Sequence, residues 1–324
     1  MRVLVTGASG LLGGRTALAL AERGDQVTVL QRRPAGLGLP EVLADVADAA
    51  AVRQALAGQD AVVHLAAKVN ITGPWSAYER ANVVGTRSVV DACLSTGVQR
   101  LVQVSSPSVA HAGASLVGVP AGPADPARAR GSYARSKAVA EQIALAADGD
   151  QLAVVAIRPH LVWGPGDTQL VGRIVERARS RRLPLIGSGA ALVDSTYLPN
   201  AVDALVAALN HCPQAHGQAL VVTNGEPLPI AELLGGICVA AGVPVPHRHV
   251  PPALAWAAGA VAELIWAVRR PDEAQDPPLT RFLAEQLSTA HWFDQRHTRE
   301  VLDWAPRVTL AEGFLLLAES YTGR

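Results

Sequence analysis

A tyrosine and a lysine four residues apart form the part of this sequence best suited to proton transfer. Tyr133 and Lys137 lie in the stretch GSYARSK, and on a helix this spacing puts both side chains on one face. The 28 basic residues include lysine only at Lys68 and Lys137, so a chance Tyr-x-x-x-Lys has an expectation of about 0.02. A nearby ammonium favours phenolate, and we therefore expect Lys137 to lower the pKa of Tyr133 from its usual value of about 10.

A glycine-rich turn near the start of the chain predicts a dinucleotide-binding site. The stretch TGASGLLG follows a strand-like run and begins a helical segment. Glycine lets the backbone approach a pyrophosphate, whose charge is met by the N–H groups of the helix N-terminus. A glycine turn without a ligand is the alternative. The residues expected to contact the cofactor here are Gly7, Ser9, Gly10, Leu11, Leu12 and Gly13.

The end of the second predicted strand indicates which nicotinamide cofactor binds. NAD sites usually carry an acidic residue there, but this chain has Gln31 followed by Arg32 and Arg33. Two guanidinium groups can bind a 2′-phosphate, and no carboxylate stands at that position to repel it. We expect NADP(H) to be preferred over NAD(H), with solvent exposure as the alternative for one or both arginines. Asp45 is expected to contact the adenine or to be an ordinary loop residue.

Valine-rich runs alternate with helical segments in the first half of the chain, which predicts a Rossmann-like, doubly wound parallel sheet. Asp48 can cap one helix, and Gly97 can close another that starts near residue 79. Ligands of such sheets bind at the carboxyl ends of the strands. The predicted strands cover residues 2–7, 26–31, 61–66, 100–106, 152–159 and 219–224.

After Pro159 the alternation stops, and we expect an α/β protein with a smaller, mainly helical C-terminal substrate domain. The stretch 253–268 predicts an apolar lid or core helix. It has 16 residues, fewer than the about 20 that cross a bilayer, so membrane contact is at most peripheral. The predicted division is an NADP-binding domain at 1–165 and 194–224 and a substrate-binding lid at 166–193 and 225–324.

Composition restricts the partners and the location. The 28 acidic and 28 basic residues balance, so the chain lacks the basic excess of a nucleic-acid-binding protein. The three cysteines are far apart and odd in number, which is typical of reduced thiols in a cytoplasmic protein. The first residues read as a strand and not as an export signal. We expect no metal and no nucleic acid.

Several motifs together resemble the extended short-chain dehydrogenases/reductases. One departure is Ser132, where that family often has proline. The stretches 224–234 and 277–294 resemble the 3β-hydroxysteroid dehydrogenase-related branch and, within it, bacterial 2-alkyl-3-oxoalkanoate reductases. The matching motifs are TGASGLLG, HLAA at 64–67, ANVVGT at 81–86, VSS at 104–106, Tyr133 with Lys137, IRPHLVWGPGD at 157–167 and DSTYLPNAVDA at 194–204.

The resemblance implies a catalytic set of Ser106, Tyr133 and Lys137. Tyr133 exchanges a proton with the substrate oxygen, Lys137 holds the nicotinamide ribose, and Ser106 donates a hydrogen bond to that oxygen. The positive charge of the oxidised nicotinamide is expected to add to the effect of Lys137 in lowering the pKa of Tyr133. A serine that only satisfies a local turn is the alternative for Ser106. The resemblance also implies cofactor contacts at Val46, Leu65, Ala66, Ala67, Lys137 and Pro159.

Four further residues are expected to support the active site or contact substrate: Asn82, Lys68, Trp163 and Tyr197. A structural role for Asn82 is an equal alternative to the catalytic one. Lys68 is expected either to face solvent in a loop or to contact a substrate carboxylate.

We therefore expect an NADP(H)-dependent reductase of a bulky apolar ketone, with a 2-alkyl-3-oxoalkanoate first and a steroid second. The apolar residues of 251–268 favour such a substrate. Sugar-nucleotide epimerases share the catalytic set but need polar groups and NAD, so they rank lower, as does a non-catalytic NADP-binding protein. The expected partners are a second copy of the chain, through the helices near residues 79 and 133, and other enzymes of the same pathway.

Overall fold

The computed structural model describes residues 1–70, 73–111, 113–269 and 277–323. Its strands are, in chain order, β1 (Arg2–Thr6), β2 (Gln26–Gln31), β3 (Glu41–Leu43), β4 (Ala61–His64), β5 (Arg100–Val104), β6 (Leu116–Val119), β7 (Ala153–Pro159), β8 (Val162–Trp163), β9 (Leu185–Ile186), β10 (Leu192–Val193), β11 (Thr196–Tyr197), β12 (Ala219–Val222), β13 (Leu228–Pro229), β14 (His249–Val250) and β15 (His291–Phe293).

The helices of the described residues are α1 (Leu11–Glu22), α2 (Ala49–Leu56), α3 (Trp75–Tyr78), α4 (Gly85–Thr96), α5 (Gly131–Leu145), α6 (Val171–Arg179), α7 (Leu198–Asn210), α8 (Cys212–Ala215), α9 (Ile230–Ala240), α10 (Pro252–Arg269), α11 (Arg281–Ser288), α12 (Arg296–Leu302) and α13 (Leu310–Thr322). A π-helical segment, Glu79–Val84, joins α3 to α4. A 3₁₀ turn covers Pro107–Ala110.

Seven of the described strands form one sheet in the order β12-β7-β5-β4-β1-β2-β3. Every neighbouring pair in it is parallel. Starting at β1, the chain adds β2 and β3 toward one edge of the sheet. It then returns to the other side of β1 and adds β4, β5, β7 and β12 toward the opposite edge. The carboxyl ends of β1 and β4 therefore border the crevice where such sheets bind ligands. The predicted Rossmann-like fold is confirmed, and each of the six predicted strands contains an observed one.

Helix ends agree with the local signals in the sequence. The Asp48 side chain accepts hydrogen bonds from the amides of Ala50 and Ala51, both at 3.1 Å, at the start of α2. Gly97 ends α4 in the left-handed conformation, with φ of +76°. The helical run before it begins at Trp75, earlier than the predicted residue 79, because the π-helical segment continues into α3.

Apolar clusters cover both faces of the sheet because neighbouring residues of a strand point to opposite sides. Val5 of β1 packs with Leu205 of α7 on one face, and Leu4 packs with Val89 of α4 on the other. All four side chains are fully buried. Burial on both faces explains why these strands read as continuous apolar runs.

A second apolar core lies outside the main sheet and includes Trp163 and Phe314, whose ring centroids are 4.7 Å apart. A four-stranded sheet, β13-β10-β15-β6, accompanies it and was not predicted, because its strands have only two to four residues. Leu302 and Trp304, from the predicted lid, pack in the core of the main sheet. The two-domain division stays a prediction, and residues 71–72, 112, 270–276 and 324 of its ranges lie outside the described part.

Helix α10 presents apolar side chains to solvent. Leu254, Leu264 and Val268 are 61%, 66% and 76% exposed. On the inner side a Cβ at Gly259 would lie 2.6 Å from the carbonyl carbon of Thr280, so the close contact with the start of α11 requires glycine. α10 is a surface helix, and the core-helix alternative is wrong. None of the described helices is long and apolar enough to cross a membrane.

His64 connects the ends of three elements beneath the crevice. Its Nδ1 lies 2.7 Å from Thr6 Oγ1 of β1, and its Nε2 lies 3.2 Å from Thr86 Oγ1 of α4. Burial lowers the pKa of His64 from 6.5 to about 3, and the charge of Lys137 adds to the lowering. The imidazole is therefore neutral in the folded protein, whereas it is protonated below about pH 6.5 in the unfolded chain.

We predict that His64 makes the fold sensitive to acid. Between pH 6.5 and 3 the unfolded chain binds the extra proton, so stability falls as pH falls, by about 2 kcal/mol from pH 7 to pH 5 for this group. Urea unfolding at both pH values should show His64→Gln losing less stability than the wild type over that interval. His216→Gln, at an exposed histidine, is the control, and parallel pH dependences of His64→Gln and wild type would contradict the prediction.

Candidate active site

The start of α1 forms a cradle of backbone N–H groups. Gly10 is its N-cap and supplies no side-chain hydrogen bond to the first turn. Gly7 has a φ of +78°, and a Cβ there would lie 2.7 Å from the amide nitrogen of Ala66. A Cβ at Gly13 would lie 2.5 Å from the Gly7 carbonyl oxygen. The turn, the helix and the loop after β4 thus approach each other as closely as backbones can, and the cradle suits a dinucleotide pyrophosphate.

The remaining predicted cofactor residues of these loops lie at the same edge of the sheet. Ser9 is exposed beside the cradle, and the side chains of Leu11 and Leu12 are half-buried in the first turn of α1. Ala66 donates its amide N–H to Thr6 Oγ1 at 3.1 Å, which ties the β4 loop to β1. The half-buried residues at the carboxyl ends of β4 and β7 are Leu65, Ala66, Ala67 and Pro159.

Arg32 and Arg33 extend from the carboxyl end of β2 and are exposed, and neither forms an ion pair with another described residue. Gln31, just before them, is buried and donates its Nε2–H to the Glu41 carboxylate. The same carboxylate oxygen accepts the amide N–H of Ala35 at 2.8 Å. A carboxylate therefore does stand near this strand end, contrary to expectation, but it is occupied in holding the turn. The sequence could not reveal it, since the register of β3 on β2 brings Glu41 there.

Asp45 pairs with another side chain of the protein. Its Oδ2 lies 3.2 Å from a guanidinium nitrogen of Arg80, and its Oδ1 accepts the amide N–H of Ala47 at 3.0 Å. Val46 is buried against α4, where a Cβ on Gly85 would lie 2.7 Å from Val46 Cγ2. These contacts fix the loop after β3, and an adenine contact by Asp45 stays a prediction.

Lys137 is the buried cation at which α5 meets β5. Its side chain is inside the protein, and Nζ donates a hydrogen bond to the Val104 carbonyl oxygen at 2.6 Å. Burial lowers the pKa of Lys137 to about 8, and the carboxylate of Glu141, one turn further along α5, opposes that lowering. Lys137 is therefore an ammonium through the neutral range, held in one position by the end of β5.

Glu141 and Arg158 form a fully buried ion pair beside Lys137. Arg158 Nε donates to Glu141 Oε2 at 2.9 Å, and a second guanidinium nitrogen donates to Oε1 at 2.5 Å. Arg158 also donates to the carbonyl oxygen of Gly122 at 2.7 Å. Neither residue was predicted from the sequence, although an arginine inside the apolar strand β7 and a glutamate four residues after Lys137 were available signals. The Glu141 carboxylate therefore interacts with two cations, Arg158 and Lys137.

Tyr133 and Ser106 interact at the start of α5. Burial raises the pKa of the Tyr133 phenol above its usual value, and the hydrogen-bonding interaction with Ser106 partly opposes the rise. Lys137 does not lower this pKa in the structure, because burial dominates and the ammonium is bonded to Val104, whereas the lowering expected from an oxidised nicotinamide stays a prediction. The phenol is therefore protonated at neutral pH. This is the state that a proton donor to a ketone oxygen requires.

Ser106 also satisfies a local turn, the structural role that was the alternative to its catalytic one. It is the N-cap of the 3₁₀ turn, where its Oγ accepts the amide N–H of Ser108 at 3.3 Å and lies 3.0 Å from Ser108 Oγ. The cap fixes the direction of the Ser106 side chain. Both roles are compatible, because a hydroxyl that accepts from an amide still has its own proton to donate.

Asn82 joins the loop after β4 to α5. Its Oδ1 accepts the amide N–H of Lys68 at 2.7 Å, and its Nδ2 donates to the Lys68 carbonyl at 3.1 Å and to Ser136 Oγ at 2.8 Å. These bonds engage the Asn82 amide in holding the loop after β4 against α5. Lys68 itself is half-buried, with its ammonium 5.5 Å from the centroid of the Tyr78 ring, and its contact with a substrate carboxylate stays a prediction.

Trp163 and Tyr197 lie in the second core and do not line the crevice. Both are almost completely buried, and their ring centroids are 5.3 Å apart. Trp163 Nε1 donates to Ser195 Oγ at 3.0 Å, and a Cβ on Gly313 would lie 2.9 Å from the Tyr197 ring. This burial contradicts a direct contact of either residue with substrate, whereas their support of the active site stays a prediction. A family motif identifies an aromatic residue, but it does not reveal whether other residues bury its side chain.

An open groove of about 760 Å³ lies beside α5 but is not the reaction pocket. Its walls include Trp75, over which the Arg135 guanidinium lies 4.6 Å from the ring centroid. Arg135 is two residues from Tyr133, which places it on the opposite side of the helix. The groove and the phenol therefore face different directions.

Comparison with known proteins agrees with this geometry. Residues 3–223 match the NAD dependent epimerase/dehydratase family. The chain is 41% identical to a 2-alkyl-3-oxoalkanoate reductase of Stenotrophomonas maltophilia, with 99% of both chains covered. It is 32% identical to a 3-beta-hydroxysteroid dehydrogenase of Mycolicibacterium neoaurum, over 77% of this chain and 72% of the relative. The solved structure of MoeE5 with UDP-glucose and NAD superposes with a TM-score of 0.75 at 25% identity, covering 100% of this chain and 99% of MoeE5.

We predict that the Glu141–Arg158 pair is essential for stability as a pair. Glu141→Gln leaves the Arg158 charge buried without its partner and should lower the free energy of unfolding by about 3–5 kcal/mol. Glu141→Gln combined with Arg158→Met should recover part of that loss, because no unpaired charge remains. Urea denaturation measures all variants. Glu176→Gln, at an exposed glutamate, is the control, and a Glu141→Gln variant as stable as wild type would contradict the prediction.

Proposed function

The chain belongs to the NAD dependent epimerase/dehydratase family, and we propose that it is an NADP(H)-dependent reductase converting a 2-alkyl-3-oxoalkanoate to the 2-alkyl-3-hydroxyalkanoate. It is an oxidoreductase of the extended short-chain dehydrogenase/reductase type. The observation that carries the choice of substrate is the 41% identity, over 99% of both chains, to the 2-alkyl-3-oxoalkanoate reductase of S. maltophilia. Ser106, Tyr133 and Lys137, gathered at one edge of the sheet, supply the chemistry that this reaction needs.

In the proposed mechanism the cofactor, when bound at the cradle of α1, supplies a hydride to the ketone carbon. Ser106 donates a hydrogen bond to the ketone oxygen, where negative charge develops. Tyr133, protonated because it is buried, gives that oxygen its proton. The ammonium of Lys137, held in place by the Val104 carbonyl, would bind the nicotinamide ribose when the cofactor is present. Water then returns the proton to Tyr133.

The proposed preference for NADP(H) depends on Arg32 and Arg33. Both side chains are exposed at the carboxyl end of β2, where the adenosine ribose of a dinucleotide lies in such folds. The nearby Glu41 carboxylate is engaged through Oε1 alone, which accepts from Gln31 and from the Ala35 amide, and the two guanidinium groups outnumber this one carboxylate. A guanidinium can then bind a 2′-phosphate through charge-assisted hydrogen bonds.

Two other substrates have specific support. The M. neoaurum relative favours a 3β-hydroxysteroid, and the MoeE5 structure favours a nucleotide sugar. The exposed apolar side chains of α10 do not decide between them, because they point to solvent. NADPH oxidation measured with a 2-alkyl-3-oxo acid, a 3-oxosteroid and UDP-glucose separates the three. We expect the oxo acid to be reduced fastest. Conversion of UDP-glucose without net oxidation of cofactor would contradict the proposal.

A cytoplasmic location is proposed from the cysteines. Cys93, Cys212 and Cys238 are buried and free, which is the state expected in a reducing compartment. Burial raises the pKa of the Cys93 and Cys212 thiols to about 12, so neither is a reactive thiolate at neutral pH.

Tyr133→Phe is predicted to abolish reduction while leaving cofactor binding intact. The substitution removes only the phenol oxygen, so the turnover number should fall at least about a hundredfold, the contribution typical of general acid catalysis. Stopped-flow ketone reduction and fluorescence titration with NADPH give the two readouts. Tyr321→Phe in α13 is the matched control. Undiminished turnover by Tyr133→Phe would remove this residue from the mechanism.

Arg32→Ala is predicted to change cofactor preference. Loss of a charge-assisted bond to the 2′-phosphate should raise the KM for NADPH about tenfold or more and leave the KM for NADH nearly constant. Steady-state kinetics with both cofactors measures the ratio. Arg53→Ala, at an exposed arginine of α2, controls for net charge, and equal effects on NADPH and NADH would refute the assignment.

A further inference from the structure

Three buried histidines form a cluster beyond Ser106. His160 directly follows β7, His291 begins β15, and His111 follows the 3₁₀ turn that Ser106 caps. Their exposed fractions are 7%, 2% and 2%. The rings of His160 and His291 meet edge to face with centroids 4.9 Å apart, and His111 is close enough to affect the charge of both. The cluster therefore lies at the carboxyl end of β7, on the side of the catalytic serine.

Hydrogen bonds assign the tautomers of two of these rings. The carbonyl oxygen of Gln286 can only accept, so His291 Nε2, 2.7 Å away, donates to it. Nδ1 of the neutral His291 ring is then an acceptor, and His160 Nε2, 2.8 Å away, donates to it. Neutral His160 thus carries a lone pair on Nδ1, and this atom has no hydrogen-bond partner in the described ranges.

His111 has unused hydrogen-bonding capacity. Neither of its ring nitrogens has a partner among the described residues, although the side chain is buried. Buried polar atoms of native proteins are nearly always bonded, so both nitrogens of this buried ring are available to a group that enters the cluster. One of its nitrogens carries a proton to donate and the other a lone pair.

The surrounding charges define what such a ligand can be. Burial lowers the pKa of all three histidines, so the three rings are neutral. Arg130 is near His111 and pairs with Glu285 of α11, and Asp194, beside His291, accepts the amide N–H of Phe293. No three His, Cys, Asp or Glu side chains in the described ranges are arranged to hold a metal ion. A ligand that accepts a hydrogen bond from His111 and shares a proton with His160 satisfies both rings.

We propose that His111 and His160 bind the carboxyl group of the substrate. A carboxyl group with one proton matches the cluster, because one oxygen accepts from His111 and the other shares the proton with Nδ1 of His160. The inference rests on the proposed function. In its substrate a single carbon, the one that carries the alkyl branch, separates the carboxyl carbon from the ketone carbon. A ketone held by Ser106 and Tyr133 directs that carboxyl toward groups just beyond Ser106. The substrate arrives as a carboxylate, so its binding takes up one proton from water, and His291 and Gln286 stabilise the proton on His160.

The first test compares a 2-alkyl-3-hydroxyalkanoate with its methyl ester in NADP+-dependent oxidation. The ester keeps the alcohol and both alkyl chains but cannot share an acidic proton. His111→Phe retains the ring volume without hydrogen bonds. We expect it to lower kcat/KM for the acid at least about tenfold and to move the acid-to-ester ratio toward one. His216→Gln, at an exposed histidine paired with Asp148, should keep the wild-type ratio.

Each outcome of this comparison has one meaning. An acid-to-ester ratio that is the same in His111→Phe and wild type, while both oxidise the substrates, overturns the carboxyl site and leaves the reductase function standing. A ratio that collapses in Lys68→Met instead assigns the carboxylate to Lys68 and also overturns the proposal. Oxidation of neither substrate by the wild type contradicts the proposed function.

A second test needs no turnover and therefore separates the two proposals. Calorimetric titration of the hydroxy acid into the enzyme with NADPH, in buffers of different ionisation enthalpy, measures protons taken up. We expect about one proton per carboxylate bound at pH 8 for the wild type, and clearly less for His160→Asn. Thermal melting and NADPH titration check that the variant is folded. Binding without proton uptake, or with equal uptake by the two proteins, overturns the carboxyl site.

Discussion

The burial of the Lys137 ammonium is the constraint on which the active site depends. A buried cation is tolerated only where hydrogen bonds and an opposite charge replace water. The Val104 carbonyl supplies the hydrogen bond, and Glu141 supplies the charge. Arg158 in turn holds Glu141, so that α5, β5 and β7 are joined by one chain of charged contacts. The hydrogen bond and the opposite charge that Lys137 requires therefore hold α5, which carries Tyr133, against the carboxyl end of the sheet.

The loop after β4 places the cofactor cradle relative to that helix. On one side its Ala66 backbone approaches Gly7 so closely that a Cβ would not fit. On the other side the backbone of Lys68 is bonded to Asn82, whose amide also donates to Ser136 of α5. One short loop thus contacts the element expected to bind the pyrophosphate and the helix that carries Tyr133. The geometry of hydride and proton delivery depends on its position.

The sequence predicted what local spacing determines and missed what distant contacts determine. The parallel sheet followed from apolar runs, and the glycine turn and the Tyr133–Lys137 pair followed from short motifs. The contact between His160 and His291 spans 131 residues, and Glu41 reaches Gln31 through strand register, so neither is visible locally. The effect of Lys137 on the pKa of Tyr133 was overestimated, because spacing reveals a neighbouring charge but not the loss of water around the phenol.

If this site serves net reduction of a ketone, a hydride passes from the cofactor to the ketone carbon, and its fate can be followed with deuterium. The substrate is a 2-alkyl-3-oxoalkanoate, and the cofactor is NADPH carrying deuterium at both C4 positions of the nicotinamide. We expect one deuterium on the carbinol carbon of the product for each cofactor oxidised, detected by mass spectrometry. A product without deuterium, or turnover that leaves the amount of NADPH unchanged, would contradict it.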